Sequence, residues 1–145
     1  MRLAASSLAS AFVLTLSACV DPLTDAAPQA AGAYATVAGT IGNASRMSSR
    51  TITPLEIVED SRCPANVRCI QAGTVRLRVR LQERRKSREL VIGLEQPARL
   101  QTGWLYLAAV CPVRVVSDAL TPHDYRFTFA ISASAVAPNV NAPCG

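Results

Sequence analysis

Seven cations fall within 13 residues: Arg76, Arg78, Arg80, Arg84, Arg85, Lys86 and Arg88, opposed locally by Glu83 and Glu89. Guanidinium forks at this density suit bidentate contacts to phosphate or carboxylate. That is the chemistry of holding an anion. Groups that could move protons are sparse. His123 is the only histidine, so a mechanism needing two imidazoles is excluded. Asp124 sits beside it in LTPHDYRF, but adjacency in sequence is not triad geometry, and no G-x-S-x-G elbow accompanies the pair. Nothing singles out two of the carboxylates Glu56, Glu59, Asp60, Glu95, Asp118 and Asp124 as an acid–base couple. No glycine-rich phosphate loop is present. We therefore expect no catalytic residue and no cofactor, with a hydrolase using His123 as base only the third-ranked class.

The N-terminus sets the compartment. Arg2 precedes an apolar run, LAASSLASAFVLTL, over residues 3–16. As a helix it would span about 21 Å, short of the roughly 30 Å bilayer core, so it reads as a signal-peptide core. The run ends Leu16-Ser17-Ala18-Cys19, which resembles the lipobox of bacterial lipoprotein precursors. The resemblance implies a diacylglycerol thioether and palmitate-class acylation at Cys19, with cleavage before it. Two or three acyl chains anchor stably where one does not. By the same resemblance Val20, in place of Asp, favours the outer membrane if the host has two membranes. The expected organisation is signal peptide 1–18, lipidated Cys19 with a flexible tether to residue 33, a β-domain over 34–136 and a tail over 137–145. The tether (VDPLTDAAPQAAGA) has no apolar periodicity and two helix-breaking prolines, Pro22 and Pro28.

Setting Cys19 aside leaves Cys63, Cys69, Cys111 and Cys144. An even number in an exported chain reads as two disulfides, with three connectivities. We favour Cys63–Cys69, which closes the turn-prone loop CPANVRC, and Cys111–Cys144, which pins an otherwise fraying tail. In the chain-entropy account the two are worth about 2.4 and 3.8 kcal/mol. A metal site is not expected: zinc cysteines come as C-x2-4-C knuckles, and the nearest pair here has the form C-x5-C.

The elements that must carry these groups read as strands. Residues 74–82 (TVRLRVRLQ) alternate strictly, with Val75, Leu77, Val79 and Leu81 on one face and Arg76, Arg78 and Arg80 on the other. In 125–132, Tyr125, Phe127, Phe129 and Ile131 share a face. Further β-leaning runs cover 34–41, 51–59, 88–94, 104–110 and 112–116, and Pro54 predicts an edge or a bulge. About seven short strands at roughly ten-residue spacing predict an all-β fold, a small antiparallel β-sandwich of immunoglobulin-like size stapled by two disulfides.

The segment 57–73, IVEDSRCPANVRCIQAG, resembles a group of small exported bacterial proteins, many of them lipoproteins, carrying E-D-S-R-C-P-x-x-V-x-C-x-x-A-G. Glu59, Asp60, Ser61, Arg62, Cys63, Pro64, Val67, Cys69, Ala72 and Gly73 all fit. Gln71 departs from the pattern, standing where many relatives carry Trp. The resemblance implies a compact β-domain and the Cys63–Cys69 bridge, but no activity. Physically, Asp60 and Ser61 can cap backbone N–H groups, and Asp60 can pair with Arg62 or Arg68. Asp60, Ser61 and Arg62 are then a turn lock or a recognition loop.

The function expected from sequence is a non-enzymatic envelope lipoprotein, a binding or structural module held to the membrane by its lipid. Its basic face (Arg76, Arg78, Arg80, with Arg84 and Arg85 to Arg88) is the expected contact for an anionic envelope component or protein. Export and the 5% aromatic content argue against nucleic acid, which needs stacking platforms. The alternative is an inhibitor of a secreted or periplasmic protease acting through the Cys63–Cys69 loop.

Overall fold

The alternation seen at 74–82 is realised in the computed structural model, which describes residues 34–140 and Cys144. The expected signal peptide, Cys19 and the expected tether lie outside the described residues. Eight strands follow in order: β1 (Tyr34–Gly39), β2 (Ser45–Met47), β3 (Arg50–Asp60), β4 (Val75–Glu83), β5 (Lys86–Gly93), β6 (Ala98–Arg99), β7 (Trp104–Cys111) and β8 (Arg126–Ser132). They form two four-stranded antiparallel sheets, ordered β1-β8-β7-β6 and β2-β3-β4-β5. The first strand thus pairs with the last, and residues between them build the whole second sheet.

The core lies between the sheets. Val75, Leu77, Val79 and Leu81 are fully buried from β4, facing Phe127 and Phe129 of β8 and Leu105 and Leu107 of β7. Each such side chain contributes about 1.5–3 kcal/mol through burial. Tyr125, Phe127 and Phe129 are buried and Ile131 packs against the same cluster, so the aromatic face expected from 125–132 is present. Pro54 falls just beyond the last β2–β3 pair, Ser45–Ile52, and its missing N–H costs no ladder bond there. The register with β4 shifts between Pro54 and Glu56 and again between Ile57 and Glu59, the expected bulge.

Two expectations need correction. Residues 112–116 (PVRVV) are not a strand. Their backbone serves the neighbouring disulfide loop instead: the Arg114 carbonyl accepts from Ala65 N–H, and Val116 N–H donates to Asn66 Oδ1. Conversely β2 and β6, three and two residues long, are too short to show any period. Both disulfides have the favoured pairing, Cys63–Cys69 and Cys111–Cys144, with Cα separations of 5.9 and 5.4 Å, within ordinary disulfide geometry.

Residues 133–140 return across the outer face of the β1-β8-β7-β6 sheet. The Tyr106 hydroxyl donates to the Ser134 carbonyl at 2.8 Å and the Tyr34 hydroxyl to the Asn139 carbonyl at 3.1 Å. This explains why Tyr106, Ala130 and Ser132, which face away from the core, are buried.

Candidate functional site

The sandwich has two unlike ends. At one, the motif segment joins the sheets. Asp60 ends β3, and its carboxylate takes a bidentate contact from Arg62, at 3.0 Å (Nε to Oδ1) and 2.9 Å (Nη2 to Oδ2), plus the Arg62 backbone N–H. Tyr125, the residue before β8, donates its hydroxyl to Asp60 Oδ2 at 2.8 Å. Arg62 also donates to the carbonyls of Val110 and Pro112, and Arg114 to the carbonyl of Asp60. Only 9% of the Asp60 side chain and 13% of the Arg62 side chain are exposed. Burial alone would raise the Asp60 carboxyl, but the hydrogen bonds from Arg62 and Tyr125 and the Arg62 charge together hold it below its ordinary value. Burial, then the bond to Asp60, pushes the Tyr125 hydroxyl up. Ser61 exchanges backbone and side-chain bonds with Thr74. An added Cβ at Gly73 would overlap the Ser61 carbonyl oxygen, which accounts for the glycine. Asp60, Ser61 and Arg62 are thus committed to one another and to backbone. They lock the end of the sandwich, and Arg68 makes no ion pair with Asp60.

The Cys63–Cys69 loop turns tightly, with Val67 N–H bonded to the Pro64 carbonyl, and is tied along one side to residues 114–116. Ile70 beside it is fully exposed and Val67 is 44% exposed. His123 is exposed in a short 3-10 turn, Pro122–Asp124. The Asp124 carboxylate is occupied by the Thr121 N–H and hydroxyl, both at 2.7 Å, so it does not orient the imidazole.

The arginine ladder is where the alternation placed it, on the outer face of β4, but it is not a free cationic surface. Arg80 meets Glu89 at 3.0 Å, Arg78 meets Glu56 at 3.1 Å and Arg76 meets Glu59 at 3.8 Å. Two bulges in β3 set Glu56 and Glu59 opposite Arg78 and Arg76, a register that sequence spacing does not reveal. Three cations and three carboxylates cancel.

The uncompensated charge lies at the opposite end, where the β2–β3 and β4–β5 turns meet the loop before β7. An open cleft of about 870 Å³ is bounded there by Arg50, Arg84, Arg85, Lys86 and Arg88, with Gln101 and Thr102 on the far wall. Arg46 lines an adjoining hollow of about 150 Å³. At the base, Arg50 bonds Glu83 at 2.7 Å and Thr102 Oγ1 at 2.6 Å. Arg88 reaches Glu83 at 3.7 Å and the Arg99 carbonyl at 3.1 Å. Arg84, Arg85 and Lys86 are exposed and make no ion pair among the described residues. Five of these six cations line the cleft with one carboxylate, Glu83, and Arg46 lies on the outer face of the same sheet end. The other eight cations of the described residues share them with seven carboxylates. Nearly all the excess positive charge of the domain is therefore at this end.

Sequence spacing had grouped Arg84, Arg85, Lys86 and Arg88 with the ladder; the strands separate them from it. It missed Arg46 and Arg50, which come from other strands and are brought in only by the pairing of the two hairpins. The cleft supplies charge and donors, including the Ser49, Ser87 and Thr102 hydroxyls, an arrangement suited to gripping an anion. A comparison with family models, curated proteins and solved structures finds no match for this chain.

Proposed function

We propose that this chain is a cell-envelope lipoprotein, anchored through Cys19, whose β-sandwich is a non-enzymatic binding module for an anionic envelope component. The observation that carries this reading is the gathering of Arg50, Arg84, Arg85, Lys86 and Arg88 around one cleft with Glu83 as its sole carboxylate, and Arg46 in the adjoining hollow. Supporting it, both disulfides fit an exported protein, and the lipobox ends at the one cysteine left over. Of the basic face expected from sequence, the turn end fits the role better than the ladder, whose arginines already hold carboxylates. The protease-inhibitor alternative is less well supported, because residues 65–67 form a hydrogen-bonded turn tied to the neighbouring loop rather than an extended segment.

The test compares the parent with Arg84→Ser/Arg85→Ser/Lys86→Ser for binding to envelope preparations at low ionic strength. Loss of binding in the triple variant is the expected result, and equal binding overturns the reading. Peptide mapping of protein extracted from host membranes tests the anchor separately, through an acylated Cys19 peptide.

A further inference from the structure

The strand polarity places the cationic cleft relative to Tyr34, the first residue of β1. Tyr34 begins β1 and pairs with Ser132, which also pairs with Trp104. Two residues before Trp104, Thr102 accepts from Arg50 at the base of the cleft. The chain arriving from Cys19 therefore joins the sandwich at its cationic end. The motif lock and the Cys111–Cys144 bridge are at the other end. The 14 residues between Cys19 and Tyr34 reach at most about 46–50 Å, against roughly 30 Å for a strand the length of β4. Such a connection keeps the domain at the membrane without choosing which end faces it; the charge makes that choice.

We infer that the cleft end of the sandwich seats on an anionic lipid surface, the phosphate headgroups of the leaflet that holds Cys19. The assignment of the leaflet rests on the lipoprotein reading above. Arg84, Arg85 and Lys86 project at the tip of the β4–β5 turn, where several phosphates can be met at once, and Arg46, in β2, adds a cation on the outer face of the same sheet end. None of the large apolar side chains exposed among the described residues (Val58, Val67, Ile70, Val91, Val113, Val116 and Val136) lines the cleft. The contact is thus adsorption by charge and not insertion, and it weakens with salt. A multivalent surface also explains why the cations are spread over two turns rather than focused on one point, as a single bound phosphate would need.

The test uses lipid-free chain of residues 20–145, which contains every described residue and both disulfides. It is floated with phosphatidylcholine vesicles, with and without phosphatidylglycerol. We expect binding only to the phosphatidylglycerol vesicles and release at high salt. Each cation removed is worth about fivefold near an anionic surface, so Arg84→Ser/Arg85→Ser/Lys86→Ser weakens binding on the order of 100-fold. Arg76→Ser/Arg78→Ser/Arg80→Ser, which removes cations already paired with carboxylates, serves as the matched control and stays close to the parent. No preference for the anionic vesicles, or undiminished binding by the turn variant, overturns the inference. Equal competition by soluble glycerol phosphate at matched headgroup concentration also overturns it and reassigns the cleft to a free anion. The outcomes separate from those for the anchor: acylated Cys19 with no vesicle preference sinks this inference and spares the lipoprotein reading. Unmodified Cys19 with vesicle preference sinks that reading and the leaflet assignment with it.

Discussion

The Tyr125 hydroxyl lies 2.8 Å from Asp60 Oδ2, so a residue leading into β8 of one sheet is bonded to the last residue of β3 in the other. With the bidentate Arg62 contact this is a polar clasp across the open end of the sandwich. Removing the carboxylate leaves Arg62 mostly buried and without its counter-charge, which costs about 3–5 kcal/mol for a buried pair. Asp60→Asn is expected to fall near the lower figure, because the amide keeps one acceptor. The cost depends on pH. The Asp60 carboxyl is held below its ordinary value in the fold, so its contribution is fully present above about pH 4, the unfolded range, and is lost as pH falls through the lower folded value. Thermal melts of parent and Asp60→Asn therefore converge in strong acid. Parallel curves from neutral pH to strong acid would refute the assignment.

The same clasp makes a prediction at high pH. The Tyr125 hydroxyl is raised in the fold, so the stability it brings is present below about pH 10 and is lost as pH rises through the raised value. Tyr125→Phe keeps the ring against Phe127 and removes only the donor, at a cost of about 1.5–3 kcal/mol for a bond to a charged group. Denaturant titrations across the alkaline range check this: the parent loses its advantage over Tyr125→Phe as the phenol ionises.

Gly73 closes the motif because Ser61 leaves it no room. An alanine Cβ there would run into the Ser61 carbonyl oxygen and carbonyl carbon, both backbone atoms that a rotamer change cannot move. Gly73→Ala must displace the Ser61–Thr74 exchange, at a cost of about 3 kcal/mol. Chemical denaturation of the oxidised variant measures it. A neutral effect would mean that the Ser61–Thr74 contact yields to the added methyl without cost.

The second disulfide has its own signature. Burial raises the Tyr106 hydroxyl, and the segment after β8, held at its far end by Cys144, covers that side chain. Cys111→Ala/Cys144→Ala removes the restraint, costing up to about 3.8 kcal/mol in the chain-entropy account. It should also let Tyr106 titrate nearer its ordinary value. Ultraviolet titration of the phenols reads this directly, with Tyr106→Phe to assign the step. An unchanged titration would show that the 133–140 segment stays in place without the bridge.

What the sequence could and could not disclose follows from range. The β4 alternation is a local property, and the burial of Val75, Leu77, Val79 and Leu81 was legible from it. The cysteine pairing was legible because so few partners exist. Residues 112–116 are not legible as a loop, because PVRVV has the composition of a strand while its hydrogen-bonding partners, Ala65 and Asn66, lie some 50 residues away. The neutralisation of the arginine ladder was illegible for a like reason. It depends on two bulges in β3 that bring Glu56 and Glu59 into register. The cleft at the other end needs Arg50 from one hairpin and Arg84 to Arg88 from the next, a meeting that only the pairing of β3 with β4 creates.

Arg84 offers a sharper test of whether that meeting serves binding. It is the first residue of a two-residue hairpin turn, Glu83 pairing with Lys86, and its φ is 54°. That left-handed conformation costs a non-glycine residue about 1–2 kcal/mol, and hairpins of this kind favour Gly, Asn or Asp there. Ser48 holds the same position in the β2–β3 turn, with φ 57°. A turn selected for stability alone would not carry arginine at that site, whereas a turn that must present a guanidinium at its tip would. Arg84→Gly is therefore expected to raise stability by up to about 1 kcal/mol, after the entropy that glycine adds to the unfolded chain. It should weaken binding to phosphatidylglycerol vesicles about fivefold. Ser48→Gly, on the neighbouring turn, should give the stability gain without the loss of binding. If both variants gain stability and neither loses affinity, the strain at Arg84 has no part in recognition.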